Sequence, residues 1–363
     1  RGSIDQHPAA TWGWLSTRMS QLVDGDTVFM VVASLAGALM LARCFSPSSS
    51  SSGLTQAQAE VRARTVIEEV GDGYGLDYCE LIGCEPSGVV KLRLVNSEPT
   101  HNFLGSVHGG ALATLIDVAT SAAIAAQGRF VGVSVSLNID YVNGCSHDSA
   151  VLVEARVLRC GRNLAFTECE IRRESDGVLM ARGSHTKFVK PNVIIGALFN
   201  LPASLIDLIL KRRFSEKQQQ EPASFNASVE PVTKLPRNDN GKRSYFAKFA
   251  DGTHQMQGWD SSLQDQLKSQ GEGWTLSLND RLLNGFGSLH GGCLASLVDV
   301  LGSSLIAKSD PLECGVAVGL SVQYLSSASK GTLTFEATML KKGGRLCTVK
   351  VEAKAKGKLV AVG

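Results

Sequence analysis

Two kinds of hydrophobic pattern occur along this chain, and each of them occurs twice. Residues 109–126 (GGALATLIDVATSAAIAA) are apolar on every side of a helix, which predicts a buried helix. Other stretches alternate between apolar and polar residues, which is typical of half-buried strands. These stretches lie at 88–95, 132–142, 151–173 and 176–188 in the first half, and at 273–280, 315–325, 333–355 and 357–363 in the second. The stretches 151–173 and 333–355 each contain a Gly-Arg turn and so predict two strands. Each half therefore predicts a strand, a loop, a buried helix and a run of antiparallel strands.

A polar motif stands at the start of each buried helix. Residues 102–117 read NFLGSVHGGALATLID, and residues 284–299 read NGFGSLHGGCLASLVD. The shared positions, all shifted by 182 residues, are Asn102, His108, Gly109, Gly110 and Asp117 in the first copy and Asn284, His290, Gly291, Gly292 and Asp299 in the second. A match of five positions at constant spacing indicates that the chain is an internal duplication.

The motif has both a chemical and a structural interpretation. Gly-Gly lets another group approach the helix start, where the first amides have no internal partner and carry the positive end of the dipole. Such a position suits a carbonyl oxygen that gains negative charge. A carboxylate in an apolar helix, such as Asp117, costs free energy unless it is paired or used. In the structural alternative, Gly-Gly is a packing contact, and His108 and His290 cap or brace the preceding loop.

With these residues the chain resembles the hotdog-fold acyl-CoA thioesterases of the phenylacetate-pathway type. That family has the pattern Asn-x5-His-Gly-Gly-x6-Asp, followed by a Gly-Val-Ser-Val strand. The resemblance covers roughly residues 60–190 and 243–363. It implies an α+β fold, a double hotdog, in which each domain is a long central helix wrapped by an antiparallel sheet. Because family members act as dimers, we expect the two repeats to pack as a pseudo-twofold pair with their sheets joined edge to edge.

The resemblance also implies two sites that each combine residues from both repeats. One would contain Asn284, His290, Gly291, Asp117 and Ser134, and the other Asn102, His108, Gly109 and Asp299, with Ala317 in place of the serine. The implied chemistry is hydrolysis of an acyl thioester. The Gly amide polarises the carbonyl, Asp acts as general base or as nucleophile, and Ser holds the water. The family often uses basic residues near the Gly-Arg turn for the CoA phosphates, which makes Arg162 and Arg345 candidates.

Composition narrows the range of partners. A length of 363 residues is enough for two domains, and 44% apolar content is enough for two cores. A net charge of +2 gives no electrostatic reason to expect nucleic acid. The nine cysteines form no CxxC pair, and Cys79 and Cys84 lack a second pair, so we expect reduced thiols and no metal site. No phosphate-binding or dinucleotide glycine motif is present in the sequence, and we expect no cofactor.

A second apolar run lies ahead of the first repeat. Residues 28–42 (VFMVVASLAGALMLA) are uncharged, and extending the run to 26–45 places Asp26 and Arg43 near its ends. We expect a membrane anchor at 26–45; a helix docked on a partner is the alternative. The stretch SPSSSSSG predicts a flexible linker. Because the sequence begins at Arg1 rather than Met, we expect a processed organellar product that is mitochondrial and membrane-associated.

The segment between the repeats is long. Its amphipathic, basic part within 193–214 suits a membrane surface or a partner groove, with packing on the repeats as the alternative. The predicted domains are an N-terminal extension (1–53), a first hotdog domain (54–190), a linker (191–242) and a second hotdog domain (243–363). The predicted function is that of an acyl-CoA thioesterase. The alternative is a non-catalytic accessory subunit of a large organellar, mitochondrial membrane complex. The sequence leaves open which acyl chain length is preferred and whether the thioester is carried by CoA or by acyl-carrier protein.

Overall fold

The computed structural model describes the greater part of both repeats. The described residues are 54–71, 79–95, 100–102, 106–144, 150–190, 259, 267–271, 273–279, 282–284, 287–309, 316–329 and 331–363. The N-terminal extension (1–53), with its expected anchor at 26–45, lies outside them. The linker (191–242), with its amphipathic part at 193–214, lies outside them too. Those assignments and the domain boundaries therefore stay predictions.

The first repeat follows the predicted order of elements. Its helices and strands are α1 (Gln56–Gly71), β1 (Cys79–Glu85), β2 (Val89–Leu94), α2 (Gly109–Ala126), β3 (Val133–Tyr141), β4 (Val151–Cys160), β5 (Leu164–Arg173) and β6 (Leu179–Phe188). The helix α2 covers the same residues as the apolar stretch that predicts it. Each alternating stretch forms a strand or, at 151–173, a pair of strands.

The second repeat follows the same order. Its elements are β7 (Leu267–Gln270), β8 (Gly273–Leu278), α3 (Gly291–Ser309), β9 (Gly319–Tyr324), β10 (Gly331–Lys342), β11 (Cys347–Ala355) and β12 (Lys358–Val362). Both central helices therefore begin at the first glycine of the Gly-Gly pair.

All twelve described strands form one sheet, in the order β1-β2-β4-β5-β6-β3-β9-β12-β11-β10-β8-β7. The second half of this order mirrors the first, which is the arrangement of a pseudo-twofold pair. The two halves meet where β3 pairs with β9 in antiparallel register, for example Ile139 with Leu320. The Ser321 hydroxyl donates to Asn138 Oδ1 at 2.7 Å across the same junction. The predicted double hotdog with sheets joined edge to edge is thus confirmed, and the pairing removes two exposed strand edges.

The sheet encloses α2 almost completely. Every residue from Gly110 to Ala126 is buried, as the apolar pattern predicts. Both α2 and α3 are long and apolar enough to cross a membrane by length and composition alone. However, 94% of the most apolar 18-residue stretch of α2 and 61% of that of α3 are buried inside the fold, as is usual for core helices. The starts of the two helices also approach closely, since a Cβ atom added at Gly292 would lie 2.6 Å from Thr114 Cα.

Three described elements were not predicted from the sequence. The strands β1 and β7 add an outer strand to each half of the sheet. The helix α1 packs on α2 through a buried face formed by Ala59, Ala63, Val66 and Ile67. Those positions have helical spacing, but they sit among many polar residues, so the apolar signal is weak.

Candidate active site

The starts of α2 and α3 each meet a carboxylate from the other repeat. A Cβ atom added at Gly291 would lie 2.7 Å from Oδ2 of Asp117 and 3.0 Å from Oγ of Ser134. A Cβ atom added at Gly109 would lie 2.7 Å from Oδ2 of Asp299. Only glycine leaves room for a carboxylate this close to the helix backbone. Each carboxylate is thus within reach of whatever binds at the opposite helix start.

Two groups of residues follow from this crossing. Site A consists of Asp117, Ser134, His185 and Lys187 from the first repeat with His290 and Gly291 from the second. Site B consists of His108, Gly109 and Tyr141 from the first repeat with Asp299 from the second. The structure therefore places Gly291 and His290 beside Asp117 and Ser134, and Gly109 beside Asp299, across the two repeats.

Asp117 lies at the centre of site A and is only 4% exposed. Its Oδ2 accepts the Gly292 N–H at 2.9 Å, so the carboxylate helps to cap the N-terminus of the opposite helix. Its Oδ1 lies 3.4 Å from Lys187 Nζ and 3.7 Å from His185 Nδ1. His290 Nδ1 lies 3.6 Å from Oδ2. The carboxylate thus has partners from a strand of its own repeat and from the helix start of the other.

These partners determine the charge of the carboxylate. Burial alone would raise the pKa of Asp117, but Lys187, the two histidines and the Gly292 amide outweigh it and hold the pKa well below its usual range. Burial lowers the pKa of His185 to about 3, so its imidazole is neutral at pH 7. Burial also lowers the pKa of Lys187, while Asp117 opposes that change. The carboxylate and the Lys187 amine therefore face each other at 3.4 Å in a buried site, and each favours the charged form of the other.

A chain of hydrogen bonds orients Ser134. The Thr120 hydroxyl donates to the Ile116 carbonyl at 2.6 Å, so its oxygen accepts from His185 Nδ1, 2.7 Å away. The Nε2 atom of this neutral His185 then has a free lone pair. It lies 3.0 Å from Ser134 Oγ and accepts a hydrogen bond from the serine hydroxyl. The Ser134 oxygen is left with lone pairs that can accept a hydrogen bond from a bound water.

The motif histidines cap the helices. His108 Nδ1 accepts the Gly110 N–H at 2.8 Å, and His290 Nδ1 accepts the Gly292 N–H at 3.0 Å. Capping is the structural role that the sequence leaves open. The cap in the second repeat uses the Gly292 amide and not the amide of Gly291. The Gly291 N–H has no acceptor within the described part of the chain.

The motif asparagines brace the loop before each helix. Asn102 Oδ1 accepts the Ser106 N–H at 3.0 Å, and the Asn102 N–H donates to the Ser106 carbonyl at 2.7 Å. Asn284 makes the same two bonds with Ser288, at 3.2 and 2.7 Å. The matching geometry shows that both repeats keep the loop that presents the His-Gly-Gly turn.

No described contact places the remaining predicted residues in either site. Ala317, the counterpart of Ser134, is partly buried just before β9. Arg162 and Arg345 are exposed on the turns after β4 and β10. No described contact links either arginine to site A or site B, so a role with CoA phosphates stays a prediction. Among the described residues, no cluster of three or more His, Cys, Asp and Glu side chains could hold a metal ion.

Comparison with known proteins gives the family. The thioesterase superfamily profile matches residues 104–180 and 286–362, once in each repeat. Acyl-coenzyme A thioesterase 13 of mouse is 31% identical over 137 residues, which cover 38% of this chain and 96% of the relative. The chain belongs to the thioesterase superfamily. The human protein of the same name is 36% identical over 108 residues, covering 30% of this chain and 76% of that relative.

A solved structure is similar to part of this thioesterase-superfamily chain. The crystal structure of zebrafish thioesterase superfamily member 2 has 33% sequence identity and a TM-score of 0.34. The match covers 38% of this chain and 99% of that one.

Sequence reasoning missed four side chains of this superfamily member that complete the surroundings of Asp117. They are Thr120 and Ser121 on α2 and His185 and Lys187 on β6. The sequence does contain a signal for His185 and Lys187, because every second residue of β6 from Ala181 onward is buried and the residues between are more exposed. His185 and Lys187 fall on the buried phase, and a lysine there requires a partner.

Proposed function

We propose that this protein hydrolyses acyl-CoA thioesters and that site A accounts for most of the activity. The observation that carries the proposal is the contact of Gly291 with both Asp117 and Ser134. At this point a helix-start amide, a carboxylate and an oriented hydroxyl converge from two repeats. These are the groups that hydrolysis of a thioester requires: a donor for the carbonyl oxygen and two groups for the attacking water.

In the proposed reaction, the thioester carbonyl oxygen accepts a hydrogen bond from the Gly291 N–H. Ser134 accepts a hydrogen bond from the water, and Asp117 takes a proton as the water oxygen bonds to the carbonyl carbon. Negative charge on the carbonyl oxygen is stabilised by the positive end of the α3 dipole. The intermediate then collapses, the carbon–sulfur bond breaks, and the CoA thiolate takes up the proton. The products are a carboxylic acid and free CoA.

Asp117 could instead attack the carbonyl carbon itself and form an acyl–enzyme anhydride that water hydrolyses. Both routes need the carboxylate in its charged form. The Lys187 contact at 3.4 Å and the Gly292 hydrogen bond at 2.9 Å favour that form. Incorporation of ¹⁸O from labelled water into the Asp117 carboxylate during a single turnover would identify the nucleophilic route.

The test of the function is an assay of the full-length protein against acyl-CoA thioesters of short, medium and long chains, with acyl-carrier protein thioesters as a second series. We expect turnover that Asp117→Asn reduces by about 10²- to 10⁴-fold, the usual cost of losing a catalytic acid or base. If the folded wild-type protein turned over no thioester in either series, the proposed activity would be wrong. The non-catalytic accessory-subunit alternative would then apply, although no described contact favours it.

We further propose that the protein is mitochondrial and attaches to a membrane through residues 26–45, with 193–214 as a second contact. The support is the apolar and amphipathic pattern of these two segments. Removal of residues 1–53 should release the protein from sedimenting mitochondrial membranes while leaving the domains folded. Unchanged sedimentation of this truncation, and of one that also replaces the apolar residues of 193–214, would contradict the proposal.

A further inference from the structure

Lys187 occupies an unusual place for a lysine. It lies on the inward-facing side of β6 and is only 5% exposed. Its Nζ donates to Ser121 Oγ at 2.7 Å and lies 3.4 Å from Asp117 Oδ1. The Ser121 hydroxyl in turn donates to the backbone carbonyl of Asp117 at 2.7 Å. The ammonium is therefore held in place by the same turn of α2 that carries the carboxylate.

The approach of β6 to this turn depends on a small residue. Gly183 precedes His185 and Lys187 on the inward phase of the strand, and a Cβ atom there would lie 3.0 Å from the Ile116 side chain. The strand thus lies close enough to α2 for a lysine to end at Asp117 rather than at the protein surface.

We propose that Lys187 is a positioning residue of site A: it keeps Asp117 ionised and oriented, and so sets the lowest pH at which the site works. This inference rests on the proposed thioesterase function. Lys187 touches neither the carbonyl-binding amide nor Ser134 in the described contacts, so it acts through Asp117.

Burial disfavours a positive charge on the other side chains that face Asp117. His185 on β6 and His290 before α3 are both buried, and burial lowers the pKa of each. Tyr324 on β9 is neutral, because burial raises its pKa well above the ordinary value. The Gly292 amide contributes only a dipole. Among the described side chains around Asp117, Lys187 is therefore the one that donates to the carboxylate and whose charged form the carboxylate favours.

Loss of this charge should change the protonation of the carboxylate. A buried carboxyl group without a cation favours its neutral form, and an opposite charge within about 4–6 Å typically lowers a carboxyl pKa by about 1–3 units. With Lys187→Met, Asp117 should become protonated at a higher pH. The pH below which kcat/KM falls, which is the acid limb of the profile, should then rise by about 1–3 pH units. Activity should be largely recovered at higher pH. Lys187→Arg should restore most of the limb, because it keeps the charge.

The experiment compares pH profiles of kcat/KM for wild type, Lys187→Met, Lys187→Arg and the exposed control Lys190→Met, with an acyl-CoA substrate. An upward shift of the limb in Lys187→Met alone supports the inference. An equal loss at every pH, or an unchanged limb, would overturn it, since the lysine would then serve only packing or would bind substrate.

A second measurement does not need activity. Thermal unfolding at neutral pH should show that Lys187→Met destabilises the protein strongly when Asp117 is present and much less in an Asp117→Asn background, because the second change removes the unpaired charge. Equal destabilisation in both backgrounds would overturn the pairing. If the wild type turned over no thioester but this coupling were found, the proposed function would fail while the pairing held.

Discussion

Sites A and B are built from the same motif, but the two carboxylates have different surroundings. Asp117 is 4% exposed and has an ammonium and a helix amide within hydrogen-bonding reach. Asp299 is partly exposed and lies against Gly109 and Tyr141. Near Asp117 the site has Ser134, whereas the corresponding position in the second repeat is Ala317. The same helix position therefore carries a fully enclosed carboxylate in one repeat and a partly open one in the other.

The frame that presents the helix start is the same in both sites. The Tyr141 hydroxyl donates to the Gly109 carbonyl at 2.9 Å, and the Tyr324 hydroxyl donates to the Gly291 carbonyl at 2.8 Å. The side chains that we propose orient water differ: the position that matches Thr120, whose hydroxyl contacts His185, is a glycine at 302. The comparison teaches that a fused duplication can keep the same frame at both helix starts while the polar side chains around that frame diverge.

The largest effect that separates the two sites is expected at the carboxylates. Asp117→Asn should lower kcat/KM by about 10²- to 10⁴-fold, because the group that accepts the water proton is lost. Asp299→Asn should cost far less, since its site lacks the serine. Steady-state kinetics of both variants with one acyl-CoA would decide this, with folding checked by circular dichroism. Equal losses from the two variants would contradict the asymmetry.

A smaller effect is expected at the serine position. Ser134→Ala should lower kcat by about 10- to 100-fold, because a misplaced water reacts more slowly, while KM changes little. The reciprocal change Ala317→Ser restores a hydroxyl at the position that matches Ser134, but not the Thr120–His185 support. It should therefore produce no comparable gain. A large gain from Ala317→Ser would show that one hydroxyl is enough to equalise the sites.

The smallest effect is one of stability rather than rate. His185 has an ordinary pKa of 6.5 when unfolded and about 3 in the fold, so the unfolded chain binds a proton that the folded protein does not. Its contribution to stability is therefore fully present above about pH 6.5 and is lost as the pH falls towards 3. His185→Gln should flatten the fall in unfolding free energy by up to about 1.4 kcal/mol per pH unit. Denaturant unfolding across this range measures it; parallel slopes for the two proteins would refute the assignment.

Much of the fold could be predicted because its signals are local. The segment 109–126 is apolar on all sides and starts with Gly-Gly, and both features locate α2 to the residue. The alternation of each strand is equally local. The helix α1 was missed because half of its buried face is alanine and polar residues stand between the apolar ones, which gives a weak periodic signal.

The site could be predicted only in part, because its contacts join distant residues. The pairing of Asp117 with Gly291 joins positions 174 residues apart (291 − 117) and came from the family resemblance, not from spacing. The alternation of β6 could have shown that the Lys187 side chain faces the core, but the strand sequence alone does not show that Asp117 is its partner. Which helix turn faces that strand is fixed by packing between α2 and the sheet.

The most direct test of a site shared across the repeats is a set of double variants, assayed for kcat/KM. If Asp117 and Gly291 serve one site, Asp117→Asn combined with Gly291→Ala should be no slower than Asp117→Asn alone, because the remaining activity belongs to site B. Asp117→Asn combined with Gly109→Ala should fall to the background rate, since both sites are then damaged. The opposite pattern, in which the Gly109 combination matches Asp117→Asn and the Gly291 combination falls further, would contradict the shared site.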